Sequence, residues 1–343
     1  MNSVLASLKW QATASVLSNT SVLLILTALS WLVYHTLGDG FLSSYNLFTL
    51  SQLASETLLI GFSQLVVVVI GRLNLAVGGV GVAATMATGW LMASAGLPPA
   101  VALPTGLVFG ALLGLVLGAI EVATGLGSFI VTLAMSSIYV GVVLVLSGGS
   151  AISTVPASVS DFSNDPLVTP SLSWLVVPAL IAAAMLWLLY NRSVWGWRML
   201  AVGANQRAAE LSGVRVNATV LGSFALSGLL AASAGLMEMS RVAAALPSLG
   251  VGWVLSSLVV PILGGTALIG GAVSVTGALV AAVFIESIDS GLVSLNVPAY
   301  WQQFAEAIVL LAAVMADRAL RRRPFRRPVA PSTTDGKAHH ASV

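Results

Sequence analysis

Cysteine is absent from the 343 residues, and charge is nearly so: 14 Lys and Arg and 12 Asp and Glu make up 8% of the chain. Without cysteine there is no disulfide framework, no thiol nucleophile and no Cys-ligated metal. A typical soluble domain carries about 25% charged residues. So few charges do not cover a soluble globule of this length, which excludes a soluble enzyme, a disordered chain and a nucleic-acid-binding domain. Lysine occurs only as Lys9 and Lys337, and neither precedes Ser or Thr, so no G-x-x-x-x-G-K-[ST] phosphate loop exists here. His339 and His340 lie in the tail and His35 stands alone on an apolar stretch, so no metal site is expected. No set of side chains suggests a catalytic centre, and the chain is not expected to be an enzyme.

What is present is apolar: 57% of the residues are hydrophobic. No charge lies between Lys9 and Asp39, Arg72 and Glu121, Glu121 and Asp161, or Arg241 and Glu286. Each gap accommodates one or two helices of roughly 20 apolar residues. The runs are continuous rather than alternating, which favours helices over a membrane β-barrel. The expectation is an all-α polytopic membrane protein with about ten helices. They are placed near 19–37, 47–70, 74–94, 98–120, 126–147, 172–190, 218–240, 252–264, 268–290 and 298–316. The third and eighth are broken by glycine, and the eighth is short. No cleavage site follows the first apolar run, so it is not read as a secretion signal.

Basic residues orient the spans. Arg192, Arg198, Arg207 and Arg215 crowd the stretch between the sixth and seventh helices, and six arginines from Arg318 to Arg327 follow the last. An even count of spans puts both groups, with Lys9 and Arg72, on the cytoplasmic side. Residues 1–18 then form a cytoplasmic N-terminus, 19–316 the membrane domain and 317–343 a basic, partly disordered cytoplasmic tail. The loop 191–217 is cytoplasmic. The loop 148–171, which has Asp161 and Asp165 but no basic residue, faces outside.

Within 191–217, "ANQRAAELSGV" has the pattern of a short helix, with Asn205 as cap and Gly213 in the left-handed position after its end. Such a helix is either a docking knob for a soluble partner or a surface helix at the lipid interface. Two stretches, "GRLNLAVGGVG" at 71–81 and "LGGTALIGGAVSVTG" at 263–277, interrupt hydrophobic runs with glycine. Paired breaks of this kind suggest transporter repeats with irregular backbone near the pathway. Close packing through small residues is the alternative, and it suffices for Gly110, Gly114 and Gly118. Polar side chains at Gln64, Asn74, Gln302 and Gln303 either line a path for a hydroxyl-rich solute or bridge helices. Glu56, Glu238, Glu286, Asp289 and Glu306 fall in or near predicted helices, where ionisable groups face a cavity or a partner. Glu238 and Arg241 are spaced to pair on one helix face. Dependence of uptake on Glu56 or Glu306 would mark an ion-coupled secondary transporter, the alternative class.

Five strings together resemble the ribose-type permease subunits of ABC importers, in the branched-chain amino-acid/ribose permease superfamily. "GRLNLAVG" at 71–78 is similar to that family's G-G-I-D-L-S-V-G, and "SFIVTLA" at 128–134 to its P-F-I-V-T-L-G. "LAVGANQRAAELSGV" at 200–214 matches Y-A-I-G-G-N-x-x-A-A-x-L-S-G-I. "LGGTALIGGAVSVTG" and the ending "WQQFAEAIVLLAAVMADR" at 301–318 follow in the family's order, and the likeness covers about 45–318. The chain departs from it with Arg72 for Gly, Asn74 for Asp, and Val254 and Ser256 for two acids.

The resemblance implies ten-span subunits, in two pseudo-repeated halves with both termini cytoplasmic. They pair as a homodimer or heterodimer around one pathway in the inner membrane. ATP and Mg are bound by separate ATPase subunits, so this chain needs no cofactor, and an extracytoplasmic binding protein delivers the solute, a sugar or polyol. Asn205, Gln206, Arg207, Ala208, Ala209, Glu210, Leu211, Ser212 and Gly213 take the position of the ATPase-coupling helix. Gln64, Asn74, Gly78, Gly264, Gly265, Thr266, Gly270, Gly271, Gln302 and Gln303 are the pathway candidates. Asp161, Asp165 and Arg241 are the candidates for docking the binding protein.

Overall fold

The computed structural model describes residues 2–37 and 40–298, then 301, 304, 307–309, 311 and 315, with side chains from Thr20 onward. Gln302, Gln303, Glu306, most of the tenth expected helix and the tail 317–343 lie outside the described residues. The described residues are helical, with no strand beyond two isolated bridges, Ile152 with Ala245 and Pro166 with Ser173.

The helices are α1 (Asn2–Leu37), α2 (Ser44–Val68), α3 (Val77–Ala93), α4 (Pro99–Thr124), α5 (Ser128–Ser147) and α6 (Ala157–Asn164). They continue with α7 (Val176–Arg192), α8 (Val194–Ala204), α9 (Gln206–Leu211), α10 (Val216–Val242), α11 (Trp253–Leu263) and α12 (Val275–Ser294). Among the described residues six are long and apolar enough to cross a membrane, or seven if α7 and α8, bent by 75°, are one broken span. The apolar helices α3 and α11 are shorter. At 1.5 Å per residue, α11 is only about 16 Å long against a hydrocarbon core of about 30 Å. Two differences from the expected plan stand out. The first helix runs on through 2–18 without a break. The loop 148–171, expected to face outside, contains the short helix α6.

Burial ranks the helices. Of the most apolar stretch of α2, 94% is buried, against 28% in α4, 22% in α5 and 11% in α1. The central helix α2 packs against α7, α10, α11 and α12. Phe62, Leu65, Val66, Val67 and Val69 form the core there with Val220, Phe224, Val259 and Val260. The outer faces of α4, α5 and α7 expose Phe109, Leu112, Phe129, Ile130, Leu133, Leu180, Ile181 and Met185. A soluble protein would bury these side chains; a bilayer solvates them.

Helices without a water-driven force between them need close backbone approach. Gly110, Gly114 and Gly118 on α4 meet Gly228, Ala232, Leu221 and Phe224 on α10, with no room for a side chain. Small-residue packing therefore accounts for this row. Peripheral α1 is held differently, by Trp31 Nε1 donating to Ser287 Oγ at 2.7 Å and by Trp31 and Tyr34 ringing Phe41.

Candidate functional site

Three places bring polar or glycine residues of distant segments together. The first is the elbow at α8 and α9. Asn205 alone separates these helices. Its N–H donates to Ala201 O at 3.1 Å and ends α8; its Oδ1 accepts from Ala208 N at 3.0 Å and caps α9. Gly213 follows at φ 82°, a left-handed position that closes the helix. Gln206, Arg207, Ala208, Glu210, Leu211 and Ser212 are exposed, with Leu211 80% accessible, while Ala209 is buried against the bundle. The elbow thus presents a short polar helix with one protruding leucine. Just before it, Gly203 touches Val69 O and Gly271 N, and Gly270 lies on Gly71 and Gly203. Gly271 N donates to Val69 O at 2.9 Å.

The second place is a buried polar network around the turn from α2 to α3. Asn74 Oδ1 accepts from Ala76 N at 2.9 Å, and its Nδ2 donates to Ser227 Oγ at 2.9 Å. Ser63 Oγ lies 3.0 Å from the same hydroxyl, and Gln64 Oε1 accepts from Asn74 N at 3.3 Å. All four side chains are fully buried. Leu73 N and Leu75 N donate to Ser128 Oγ and Thr132 Oγ1, and Arg72 forms an ion pair with Glu121 of α4. Arg72, a departure from the resembled family, thus has its own partner.

The third place joins α2, α10 and α12. Arg241 Nε donates to Glu56 Oε1 at 2.8 Å, and Thr57 Oγ1 donates to Glu286 Oε1 at 2.5 Å. Arg241 also interacts electrostatically with Glu238 and Glu286. The Arg241 guanidinium pairs with one of the three carboxylates and offsets part of the charge of the others, where isolated charges are costly. Three of the five acids, Glu56, Glu238 and Glu286, thus gather around Arg241 although no sequence pattern joins them. Arg241 forms its direct ion pair with Glu56 while attracting Glu238 one turn away, and its side chain is 26% exposed. Asp161 and Asp165, by contrast, are exposed on and just after α6. That loop is stapled down: Gln52 Nε2 and Ser173 Oγ both donate to Ser163 O at 2.7 Å, and Ser240 Oγ donates to Val159 O.

The other pathway candidates serve backbone packing. Gly78 meets Gly250, Gly264 meets Gly277 and Ala278, and Gly265 takes φ 88° in the turn after α11. Thr266, buried, accepts from Ser274 N at 3.3 Å. Two cavities, of about 350 and 660 Å³, are apolar, and neither is lined by a pathway candidate. The Glu56–Arg241 and Arg72–Glu121 pairs and the Gly203 contact escaped sequence reasoning. For Arg72 a signal existed, a charge next to a glycine break. For Gly203 only its position two residues before the cap pointed to it.

Long apolar helices, two glycine-broken turns and a capped helix protruding between α8 and α10 define a multi-pass membrane transport protein. The family described as branched-chain amino acid transport system / permease component matches residues 46–314. The chain belongs to that family, among the ribose-type ABC importer permease subunits, multi-pass proteins of the inner membrane. It is 31% identical to the ribose import permease protein RbsC of Escherichia coli K12 over 290 residues, 83% of this chain and 89% of the relative. It is also 31% identical to the D-allose transport system permease protein AlsC of the same organism, over 82% of this chain and 85% of the relative. Identity to the autoinducer 2 import system permease protein LsrC of Shigella flexneri is 31%, over 81% and 83%. No solved structure matches the chain.

Proposed function

We propose that the chain is the membrane-spanning subunit of an importer for a small hydrophilic solute, a sugar or polyol, driven by ATP hydrolysed on separate subunits. Relatives named for import of ribose and autoinducer 2 and for transport of D-allose support the solute class. The observation that carries the mechanism is α9: six residues, capped by Asn205, fastened by Ala209 and otherwise exposed. A helix so placed suits a groove on a soluble ATPase. Nucleotide-driven closure of the ATPases shifts the permease between two membrane states through their differential affinity for those states. In this reading ten spans place both termini and α9 in the cytoplasm. An extracytoplasmic binding protein docks beside exposed Asp161 and Asp165. A second permease copy completes the pathway, while Gln64 and Asn74, fully buried within one copy, bridge segments of that copy.

Replacing Arg207 and Leu211 together with Asp tests the docking. Co-purification of the ATPase subunits should be lost while the protein stays in the membrane; unchanged co-purification overturns the assignment. Uptake that persists without any ATPase subunit would favour an ion-coupled transporter built on the Glu56, Glu238 and Glu286 cluster.

A further inference from the structure

The contact between the elbow and the two glycine turns is made of backbone. Gly203 lies one residue from the end of α8 and packs on Val69 O and Gly271 N. Gly270 rests on Gly71 and on Gly203 Cα, and a Cβ built on Gly271 lies 3.0 Å from Ala204 Cβ. The Gly271 N to Val69 O hydrogen bond, 2.9 Å, ties the turn after α2 to the turn before α12. Side chains at an interface absorb a displacement by changing rotamer; touching backbones have no such freedom. Nor does the elbow offer slack, because Asn205 is at once the end of α8 and the cap of α9.

We propose that Gly203, Gly270 and Gly271 form a rigid joint that delivers any movement of α9 to both glycine turns at once, and that Gly203 is its positioning residue. The joint rests on the reading of α9 as the ATPase dock. It goes beyond that reading in saying where the movement goes: through Val69 and Gly71 to α2 and α3, and through Gly271 to α11 and α12. It also assigns Gly203 a part in transport without contact with solute or ATPase.

The test uses the full complex of permease, ATPase subunits and binding protein in proteoliposomes. Gly203→Ala drives a methyl between the two turns without changing any residue of α9 or its cap. ATPase co-purification should stay normal and ATP hydrolysis within about twofold, while solute moved per ATP falls about tenfold or more. Normal co-purification with an unchanged ratio of transport to hydrolysis overturns the joint alone. Failure of the unmodified chain to bind ATPase subunits overturns the docking reading and the joint with it.

A second measurement, which needs no variant, decides if Gly203→Ala does not fold. The Gly271 N–H, bonded to Val69 O at 2.9 Å, belongs to a contact that stays closed throughout the cycle. It should therefore stay protected from hydrogen exchange in the nucleotide-free and the ATP-bound complex alike. Protection lost in either state shows that the contact must open, and overturns the proposal.

Discussion

The two ends of the helix bundle are fastened by different chemistry. At the end that carries α9, the turns after α2 and before α12 meet Gly203 and Ala204 through backbone atoms. At the other end, side chains do the work: Glu56 with Arg241, Thr57 with Glu286, and Gln52 and Ser240 on the α6 loop. Backbone contact between glycines has one geometry and tolerates no added atom. Ion pairs and hydrogen bonds break one at a time and re-form with neighbours; Arg241 has Glu238 and Glu286 within reach once Glu56 leaves. A transporter needs both properties, a stiff end to receive a push and an adjustable end to open. The difference teaches that glycine backbone and side-chain polarity fasten opposite ends of this bundle, the Arg72–Glu121 pair beside the glycine turns being the exception.

The sharpest break of that comparison is Gly270→Val. A Cβ there meets Gly71 N at 2.7 Å and Gly203 Cα at 3.0 Å, and φ is 88°. Left-handed strain and overpacking together should cost about 4 kcal/mol or more, enough to empty the folded fraction in detergent size-exclusion profiles. Gly213→Ala is the control. It has φ 82° but open space around it, so strain alone should cost about 1 kcal/mol. Equal losses at the two sites would show that the tight contact adds nothing.

At the adjustable end Glu56→Gln should cost less, about 2 kcal/mol, and the protein should still accumulate. Breaking a buried pair costs more than that when the remaining charge is stranded. Here Arg241 is a quarter exposed and keeps other carboxylates nearby. Thermal unfolding of the purified protein measures the loss; a loss as large as that of Gly270→Val would erase the distinction between the ends. Thr57→Val removes one hydroxyl donor from Glu286 and should cost about 1–1.5 kcal/mol in the same assay.

Much of the helical plan is legible in the residues, because spans are written in long intervals without charge. α2, α4, α5 and α10 fall within a few residues of where the apolar runs put them, while α12 starts at Val275, seven residues later than expected, because the glycine turn takes up 264–274. The Asn205 cap and the Gly213 stop are local signals and were readable for that reason. So was the glycine row of α4, whose four-residue spacing is itself the contact. α6 was hidden because its eight residues are too polar and too short for periodicity to mark. Arg241 shows the deeper limit. Its neighbour in sequence, Glu238, sits at ideal helical spacing, yet the bonded partner is Glu56, 185 positions away. Helix packing decided between them, and one chain read in order contains no term for it. Gly78 against Gly250 is the same case in backbone.

The smallest effect should have the opposite sign. Ala243 ends α10 at φ 55°, a left-handed conformation that costs an L-residue with a Cβ about 1–2 kcal/mol. It lies between Arg241 and Ala245, whose N–H and C=O both pair with Ile152 at 2.9 Å. The strain is therefore held by the ion pair on one side and the bridge on the other. Ala243→Gly relieves it, but glycine gives back about 0.4–1 kcal/mol through the freedom it adds to the unfolded chain. The net should be a gain of about 0.5 kcal/mol, a small upward shift in thermal midpoint. In a Glu56→Gln background one of the two supports is weakened, and the same substitution should gain less, because the segment already relaxes without it. An equal gain in both backgrounds would mean that the adjustable end is not one coupled unit, and that the bridge alone holds Ala243 in place.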